Sequence, residues 1–230
     1  MKVFAISDLH LSFSQNKPMD IFGDSWENYL SDIKQDWLNK VCDDDIVIMA
    51  GDLSWAMKLD DIKLDLSYFD DLPGKKIIVR GNHDYWWSSY TKVKQSLPPN
   101  FIALQNNAIK IGNCVFCGTR GWALPGDEFS EFDDKIFKRE LIRLELALRS
   151  AKDLMGEQDN LIVVLHYPPF NFKNYDNEFM QLINKYSPSD VVFGHIHQSK
   201  GKYQLKTVIN NTNFFLTSCD LIENKLVRIK

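Results

Sequence analysis

The sequence predicts a mixed α/β fold in which two β-sheets are flanked by helices. In the first part of the chain, short apolar runs of strand length alternate with amphipathic helical patterns, which favours parallel pairing. Closely spaced short runs follow at 101–118 and again at 203–229, a spacing typical of antiparallel strands. A mixed two-sheet α/β domain accommodates both patterns.

The apolar pattern predicts each element in order. In the longest helix, Phe137, Leu141, Leu144 and Leu148 recur at intervals of three and four, so that one face is apolar. The predicted helices are Trp26–Lys40, Leu59–Asp70, Trp87–Gln95, Phe132–Lys152 and Asn177–Lys185. The predicted strands are Val3–Ser7, Ile46–Ala50, Lys76–Arg80, Phe101–Leu104, Ala108–Ile111, Val115–Gly118, Leu161–Leu165, Val191–Phe193, Tyr203–Leu205, Val208–Asn210, Asn213–Thr217 and Leu226–Ile229.

Length and composition indicate an ordinary globular protein. The 230 residues suit a single domain, 1–230, that buries a sizeable core. The net charge of −4 argues against extensive electrostatic binding of a nucleic-acid backbone. The sequence does not indicate an oligomeric state. No apolar run reaches the length that spans a membrane, and the opening "MKVFAISDLH" turns polar too soon for a signal peptide, so we expect a cytoplasmic protein.

Of the four cysteines, at 42, 114, 117 and 219, the pair Cys114 and Cys117 is best explained as buried thiols. Cys114 and Cys117 form a C-x-x-C, but no second pair completes a zinc site. They lie three apart in a strand-like run, so their side chains point to opposite faces.

Two longer irregular stretches, Leu11–Ser25 and Thr119–Glu131, interrupt the pattern. Loops of this length in a compact domain are usually lids or walls of a site. A solvated insertion without a role is the equal alternative.

Polar side chains follow five of the predicted strands, and all five histidines of the chain lie among them. Loops at one edge of an α/β sheet converge in space, which is where such folds bind their ligands. The loops read "SDLH" with Asp8 and His10, "AGDLSW" with Asp52, "GNHD" with Asn82, His83 and Asp84, "LHYPPF" with His166, and "FGHIH" with His195 and His197.

This set of imidazole, carboxylate and amide groups, without thiolate, predicts a metal centre. Such ligands suit manganese, iron or zinc and disfavour iron–sulfur or structural zinc. The set contains too many candidate ligands for a single metal ion that keeps one coordination position open. It suits two divalent or trivalent ions about 3.5–4 Å apart that share a carboxylate.

The ordered pattern D-x-H, G-D, G-N-H-D, H and G-H-x-H, which runs from Asp8 to His197, resembles the calcineurin-like metallophosphoesterase superfamily. Within it, "GDLSWAMK" and "RGNHDYWW" are similar to a bacterial group of predicted phosphohydrolases. The resemblance implies two facing mixed β-sheets flanked by helices, a four-layer αββα sandwich.

The resemblance also implies a role for each ligand-loop residue. It gives Asp8, His10 and His197 to one metal and Asn82, His166 and His195 to the other, with Asp52 bridging the two. His83 then faces the substrate phosphate, and Asp84 helps to orient its ring. The alternatives are that His83 caps a loop and that Asp84 only binds backbone. Gly81 is expected to let the backbone turn.

The implied activity is hydrolysis of a phosphoester, with a phosphodiester favoured. Two cations bind a phosphoryl oxygen and lower the pKa of a shared water, and the resulting hydroxide attacks phosphorus in line. His83 stabilises the developing charge or protonates the leaving oxygen. A phosphomonoesterase of the same superfamily, a non-catalytic interaction scaffold and a mononuclear enzyme of another fold are the alternatives.

The substrate is predicted to be a small phosphoester molecule. The sequence indicates the walls of the binding site less clearly than the metal ligands at its centre. Trp26 and Trp37 fall in a helical pattern typical of core residues. Arg120, in "GTRGW", is either a phosphate contact or an exposed residue without a role. Six aromatic residues near the ligand loops form either a substrate platform or a cover for the sheets: Trp55, Tyr85, Trp86, Trp87, Tyr167 and Phe170.

Overall fold

The computed structural model of the protein describes residues 1–126, 128–171, 175–197 and 203–230. Of the predicted loop 119–131, residue 127 lies outside this range. The strands are β1 (Val3–Ile6), β2 (Ile46–Met49), β3 (Lys75–Val79), β4 (Phe101–Leu104), β5 (Ala108–Ile111), β6 (Cys114–Gly118), β7 (Asn160–Val164), β8 (Asp190–Phe193), β9 (Lys206–Ile209), β10 (Thr212–Leu216) and β11 (Val227–Arg228). The helices are α1 (Tyr29–Lys40), α2 (Ile62–Leu66), α3 (Tyr90–Ser96), α4 (Glu131–Leu154) and α5 (Glu178–Tyr186).

Two mixed sheets form, as the sequence predicts. The first has the order β11-β1-β2-β3-β4 and the second the order β5-β6-β7-β8-β10-β9. The expected antiparallel pairing over 101–118 is wrong for β4, which runs parallel to β3. The expected antiparallel pairing is confirmed for β5 with β6, because a short turn joins these two strands. The chain thus changes sheets between β4 and β5.

The hairpin of β9 and β10 corrects two predicted strands. Tyr203–Leu205 does not form a strand, and Val208–Asn210 lies mostly within β9. The reason is the turn at Asn210 and Asn211, whose positive φ values of 50° and 65° suit a two-residue hairpin loop. This turn pairs Thr212 with Ile209 and so fixes where β9 lies.

The helices differ from the prediction mainly at their ends. The predicted helix over Leu59–Asp70 shortens to α2 and a 3-10 turn over Ser67–Phe69. Trp26 lies in a 3-10 turn ahead of α1 rather than in the helix. In α4, Ser130 accepts a hydrogen bond from the amide of Asp133, whose side chain accepts in return from the Ser130 amide. This capping box marks where α4 begins.

The two sheets face each other across a common apolar layer. Its members include Ile48 of β2 and Phe116 and Ile162 of the second sheet. On the outer faces, Trp37 of α1 packs on the first sheet and Leu144 of α4 on the second. These layers form an αββα sandwich in which the carboxyl ends of β1, β2, β3, β7 and β8 come to one edge.

Cys114 lies in the layer between the sheets and Cys117 on the outer face of the second sheet, both as buried free thiols. This confirms their predicted placement on opposite faces. In the described part of the chain, every helix is too short or too polar to cross a bilayer.

Candidate metal centre

The ligand loops adopt an unusual backbone conformation where they leave the strands. Asp8, His10, Asp52 and His195 have φ values of 60°, 47°, 51° and 72°. Such left-handed conformations are uncommon outside glycine and cluster at functional sites. They aim the side chains of successive loops at one point.

The first predicted ligand group comes together as expected. Asp8, His10 and His197 offer ligand atoms that all lie within 4.8 Å of one another. Asp8 Oδ1 lies 3.5 Å from Nε2 of His197, and both carboxylate and imidazole are largely buried.

The second group meets on the other side of the centre. Asn82 Oδ1 lies 2.7 Å from Nε2 of His166 and 2.9 Å from Nδ1 of His195. The two imidazole nitrogens are 3.3 Å apart. Three candidate ligand atoms therefore surround one point.

Asp52 lies between the two groups, where a bridging ligand is expected. Its Oδ2 is 3.9 Å from Nε2 of His10 and 3.5 Å from Nε2 of His166. Asp8 also reaches both sides, because Asp8, Asp52 and His166 have ligand atoms within 4.8 Å of one another. Two carboxylates thus come within reach of both ligand groups, whereas the sequence pattern gives only Asp52 that position.

Two glycines allow the loops to approach the ligands closely. A Cβ on Gly81 would lie 2.0 Å from Oδ1 of Asp52, and one on Gly51 would lie 2.5 Å from Nδ1 of His166. The φ of Gly81 is not in the positive range where glycine is favoured, so its backbone conformation does not itself call for glycine. Its missing side chain instead makes room for Asp52.

An ion pair forms on the His197 side of the centre. Burial opposes ionisation of Asp8, but the hydrogen bond from His197 and the neighbouring imidazoles outweigh it and hold the pKa of Asp8 well below its usual range. Burial likewise opposes a charge on His197, yet hydrogen bonds to Asp220 and Asp8 raise its pKa to about 10. Metal binding at His197 would therefore displace a proton.

The other imidazoles of the centre are neutral at pH 7. Burial lowers the pKa of His10 and of His166 to about 3, and that of His195 to about 4, although the charge of Asp8 acts in the opposite direction. Neutral imidazole is the form that binds metals. These three rings therefore present lone pairs to the centre.

The arrangement of lone pairs fits cations at both groups. Nδ1 of His166 lies 3.0 Å from the carbonyl oxygen of Ala50, which can only accept, so Nδ1 carries the proton. Nε2 of the same ring is then an acceptor that faces the acceptor Oδ1 of Asn82. Nδ1 of His10 is buried without a hydrogen-bond partner among the described residues. A cation would satisfy the facing acceptors of His166 and Asn82.

The negative charge of the buried carboxylates also favours bound cations. Burial and the charges of Asp84 and Asp8 raise the pKa of Asp52 well above its usual range. Buried carboxylates that repel one another in this way need a compensating positive charge. The residues present therefore fit a centre that holds metal ions.

His83 lies beside the ligands without joining them. Its ring centroid is 4.5 Å from that of Trp55 and 5.6 Å from that of His10. Its backbone amide donates to Oδ1 of Asp52, and Nδ1 is 3.5 Å from the Tyr85 hydroxyl. The ring is half-buried and borders open space.

The contacts of Asp84 go to backbone amides of two ligand loops and to the side chain of Trp86. Its Oδ1 accepts from the amides of Leu53 and Ser54 and from Nε1 of Trp86, and its Oδ2 accepts from the amide of Gly81. These donors occupy the carboxylate, and among the described residues it forms no hydrogen bond with the His83 ring. Asp84 ties the second ligand loop to the third and also binds the side chain of Trp86, so its contacts exceed the backbone-only alternative, and its orienting role toward His83 stays a prediction.

Sequence reasoning missed two groups that position ligands. Asp220 Oδ1 lies 3.0 Å from Nδ1 of His197 and follows strand β10, so the same strand-end rule could have found it. Trp55 stacks on His10 with centroids 5.0 Å apart. Trp26, expected in the core, is buried but also faces His10 and His197 at 5.9 and 5.8 Å.

Each irregular stretch borders a cavity next to the centre. On the 11–25 side, a cavity of about 290 Å³ is lined by Met19, Phe22 and Trp26 together with His83. On the 119–131 side, a cavity of about 660 Å³ is lined by Trp122, Tyr167, Phe170 and His195. The stretches therefore form walls of the site.

Comparison with known proteins now identifies the family. The model of the calcineurin-like phosphoesterases matches residues 1–199. The chain therefore belongs to the calcineurin-like phosphoesterase family, which implies metal-dependent phosphoester hydrolysis. No curated protein sequence matches the chain.

Solved structures share the fold at low identity. The Thermus thermophilus protein TT1561 is 14% identical with a TM-score of 0.61, covering 98% of this chain and 96% of that one. The Aquifex aeolicus protein AQ665, of unknown function, is 14% identical with a TM-score of 0.52, covering 99% and 95%. The Plasmodium protein GAP50, the anchor in the inner membrane complex, is 13% identical with a TM-score of 0.54, covering 96% and 72%.

Proposed function

We propose that the protein is a dinuclear-metal-dependent phosphohydrolase that cleaves a phosphodiester. The observation that carries this proposal is the meeting of lone pairs from both sheets at one buried, acid-rich centre. A phosphomonoesterase of the same family is the second candidate.

Two metal ions, of manganese, iron or zinc, suit these nitrogen and oxygen ligands. Asp8, His10 and His197 would hold one, and Asn82, His166 and His195 the other, with Asp52 shared. When bound, such ions act as Lewis acids toward a phosphoryl oxygen and make hydroxide available near neutral pH.

His83 is the proposed catalytic side chain. It stands against Trp55 in the wall of the 290 Å³ cavity, beside the ligands but bound to none by its ring. From there it would donate a hydrogen bond, and then a proton, to the oxygen of the departing group. Trp55 and Tyr85 restrict its ring, and Asp84 fixes the loop that carries it.

The two cavities favour a diester over a monoester. A diester carries a substituent on each side of phosphorus, and one cavity borders His83 and the other borders His195. Both are lined largely by aromatic and aliphatic side chains, which suits a small organic phosphoester. All four cysteines are free, which suits a reducing compartment such as the cytoplasm.

A non-catalytic scaffold is the alternative from another class, and an anchoring protein is among the structures that share the fold. Scaffold members of the family lose metal ligands. This chain retains the full predicted set, which supports an enzyme.

The experiment compares bis-p-nitrophenyl phosphate with p-nitrophenyl phosphate after chelator stripping and resupply of manganese. We expect metal-dependent cleavage, faster for the diester. His83→Ala should lower kcat by about 10²–10⁴-fold, the usual range for a general acid. Tyr186→Phe, at the end of α5, is the control, and metal content should be unchanged in both variants.

Faster cleavage of the monoester would select the second candidate. Full activity of His83→Ala would remove the proposed acid. Bound metal without turnover of either substrate would favour the scaffold.

A further inference from the structure

A small polar cavity lies next to the metal centre, where β3, β4 and β6 end. Its volume is about 70 Å³, and its walls include Arg80, Arg120 and Arg143 with the polar side chains of Gln105 and Thr119. Arg120 was expected to be exposed or to touch the substrate phosphate. Its side chain is instead only 10% exposed and lines this separate cavity.

Positive charge around the cavity exceeds the negative charge. The buried carboxylate of Glu140 accepts from Arg143 Nη1 at 2.7 Å and from the Thr119 hydroxyl at 2.6 Å. Arg120 Nη2 lies 3.7 Å from the same carboxylate. Arg139 Nε also lies 3.6 Å from Glu140. Arg80 forms no ion pair with any described residue, although the charges of Asp84 and Glu140 act on it, so four arginines stand against two buried carboxylates.

Two of these guanidinium groups have unused donors. The Nε atoms of Arg80 and Arg120 are buried and lack a hydrogen-bond partner among the described residues. A buried N–H without a partner costs about 1–3 kcal/mol, and more when the group is charged. Burial also lowers the pKa of Arg80, and that of Arg120 to about 10.

We propose that this cavity is a binding site for a small oxyanion, a phosphate or carboxylate group held by Arg80 and Arg120. Guanidinium is the side chain that binds such groups in bidentate fashion. One water needs roughly 10–15 Å³ of such space, so about 70 Å³ accommodates several oxygen atoms.

The site lies on the same edge as the metal ligands. Arg80 precedes Gly81 and Asn82 directly, and the carbonyl oxygen of Arg120 accepts from the amides of His166 and Tyr167. An oxyanion here would come either from a second acidic group of the substrate or from free phosphate. The inference does not depend on the proposed hydrolysis, because binding is measured without turnover.

The direct test is nitrogen-15 NMR of the arginine Nε–H groups in the full chain during titration with sulfate at constant ionic strength. We expect saturable shifts of the Arg80 and Arg120 signals and no shift of the signal of Arg149, which is exposed and paired with Glu145. Arg80→Gln should weaken sulfate binding roughly tenfold or more, since it removes a charged hydrogen bond. Arg149→Gln should leave it unchanged.

A second variant keeps the test valid if Arg80→Gln unfolds. Gln105→Glu is isosteric, and its carboxylate can still accept from Trp87 Nε1 as Gln105 does. It places a fixed anion in the cavity. We expect a higher Tm than that of the unmodified chain without sulfate, and loss of the rise in Tm that sulfate produces.

Inhibition kinetics separate the two sources. If the anion belongs to the substrate, sulfate will compete with a substrate that carries a second acidic group. If it is free phosphate, sulfate will bind without changing the KM of any substrate. The proposal is overturned if the Arg80 and Arg120 signals do not move, or if Arg80→Gln and Gln105→Glu bind sulfate as the unmodified chain does.

Discussion

At the scale of single residues, the centre depends on strained backbone that its own hydrogen bonds hold in place. Asp8 is left-handed, yet its carboxylate accepts from the Ser7 hydroxyl at 2.5 Å and from the amide of His195 at 3.0 Å. Each such conformation costs on the order of 1–3 kcal/mol. The loops thus hold one another before any ligand binds.

Gly81→Ala tests how closely these loops pack. The new Cβ would fall 2.0 Å from Oδ1 of Asp52, so this carboxylate must move. We expect weaker metal binding and a loss of diesterase activity, measured by manganese titration and by kcat/KM. Gly126→Ala is the control, since its Cβ meets only a carbonyl oxygen of Leu124 at 4.0 Å, and equal loss in both variants would contradict the account.

Asp220→Asn tests a residue that acts through a ligand. The carboxylate holds Nδ1 of His197, and such supporting bonds typically contribute about 10–100-fold to metal affinity. We expect manganese affinity to fall by roughly that factor, with circular dichroism unchanged. Glu223→Gln, which changes an exposed carboxylate in the same segment, should bind manganese normally. Unchanged affinity in Asp220→Asn would show that His197 needs no support.

The sequence predicts which residues meet at the centre but not all that surrounds them. Five strand-end loops could be read because ligand residues follow apolar runs directly. Asp220 also follows a strand, β10, but no histidine lies near it in the sequence to mark it as part of a metal site. The stacking of Trp55 on His10 depends on the path of two loops, which local pattern does not fix.

At the scale of elements, β3 carries a buried charge. Lys76 is fully buried, its ammonium donates to the carbonyl oxygen of Leu72, and the ring of Trp37 is 5.7 Å away. Burial lowers its pKa from 10.5 to about 8. The unfolded chain therefore holds more protons than the folded chain between these two pH values.

Stability should respond to pH with a defined sign. The free-energy cost of burying the Lys76 ammonium is fully present below pH 8 and disappears as pH rises toward 10.5. The contribution of Lys76 to the free energy of unfolding therefore rises with pH. Lys76→Met removes that change. The difference in unfolding free energy, Lys76→Met minus unmodified, should fall by about 3 kcal/mol across this range.

Urea unfolding at a series of pH values measures this difference. Lys75→Met, at an exposed neighbouring position, is the control and should show a difference that does not vary with pH. A constant difference for Lys76→Met would contradict the burial of a titrating ammonium.

Most elements could be predicted because their apolar periodicity is strong, as in α4. Pairing could not. β4 joins the first sheet in parallel and β5 starts the second, although a short loop separates them. Sequence spacing favours the hairpin, but the apolar layer between the sheets is completed only if the chain crosses.

At the scale of the whole molecule, the site belongs to both sheets. Asp8, Asp52 and Asn82 follow strands of the first sheet, and His166 and His195 follow strands of the second. Ions bound between them would tie the sheets together. We expect metal to raise Tm and chelator to lower it, by thermal unfolding with and without manganese.

The stoichiometry of metal binding tests the central claim most directly. Manganese titrated into the chelator-stripped chain should bind at two ions per chain, and Asp52→Ala should retain fewer because both groups lose a shared ligand. A single ion per chain, no binding by any supplied metal, or two ions retained by Asp52→Ala would contradict a shared dinuclear centre.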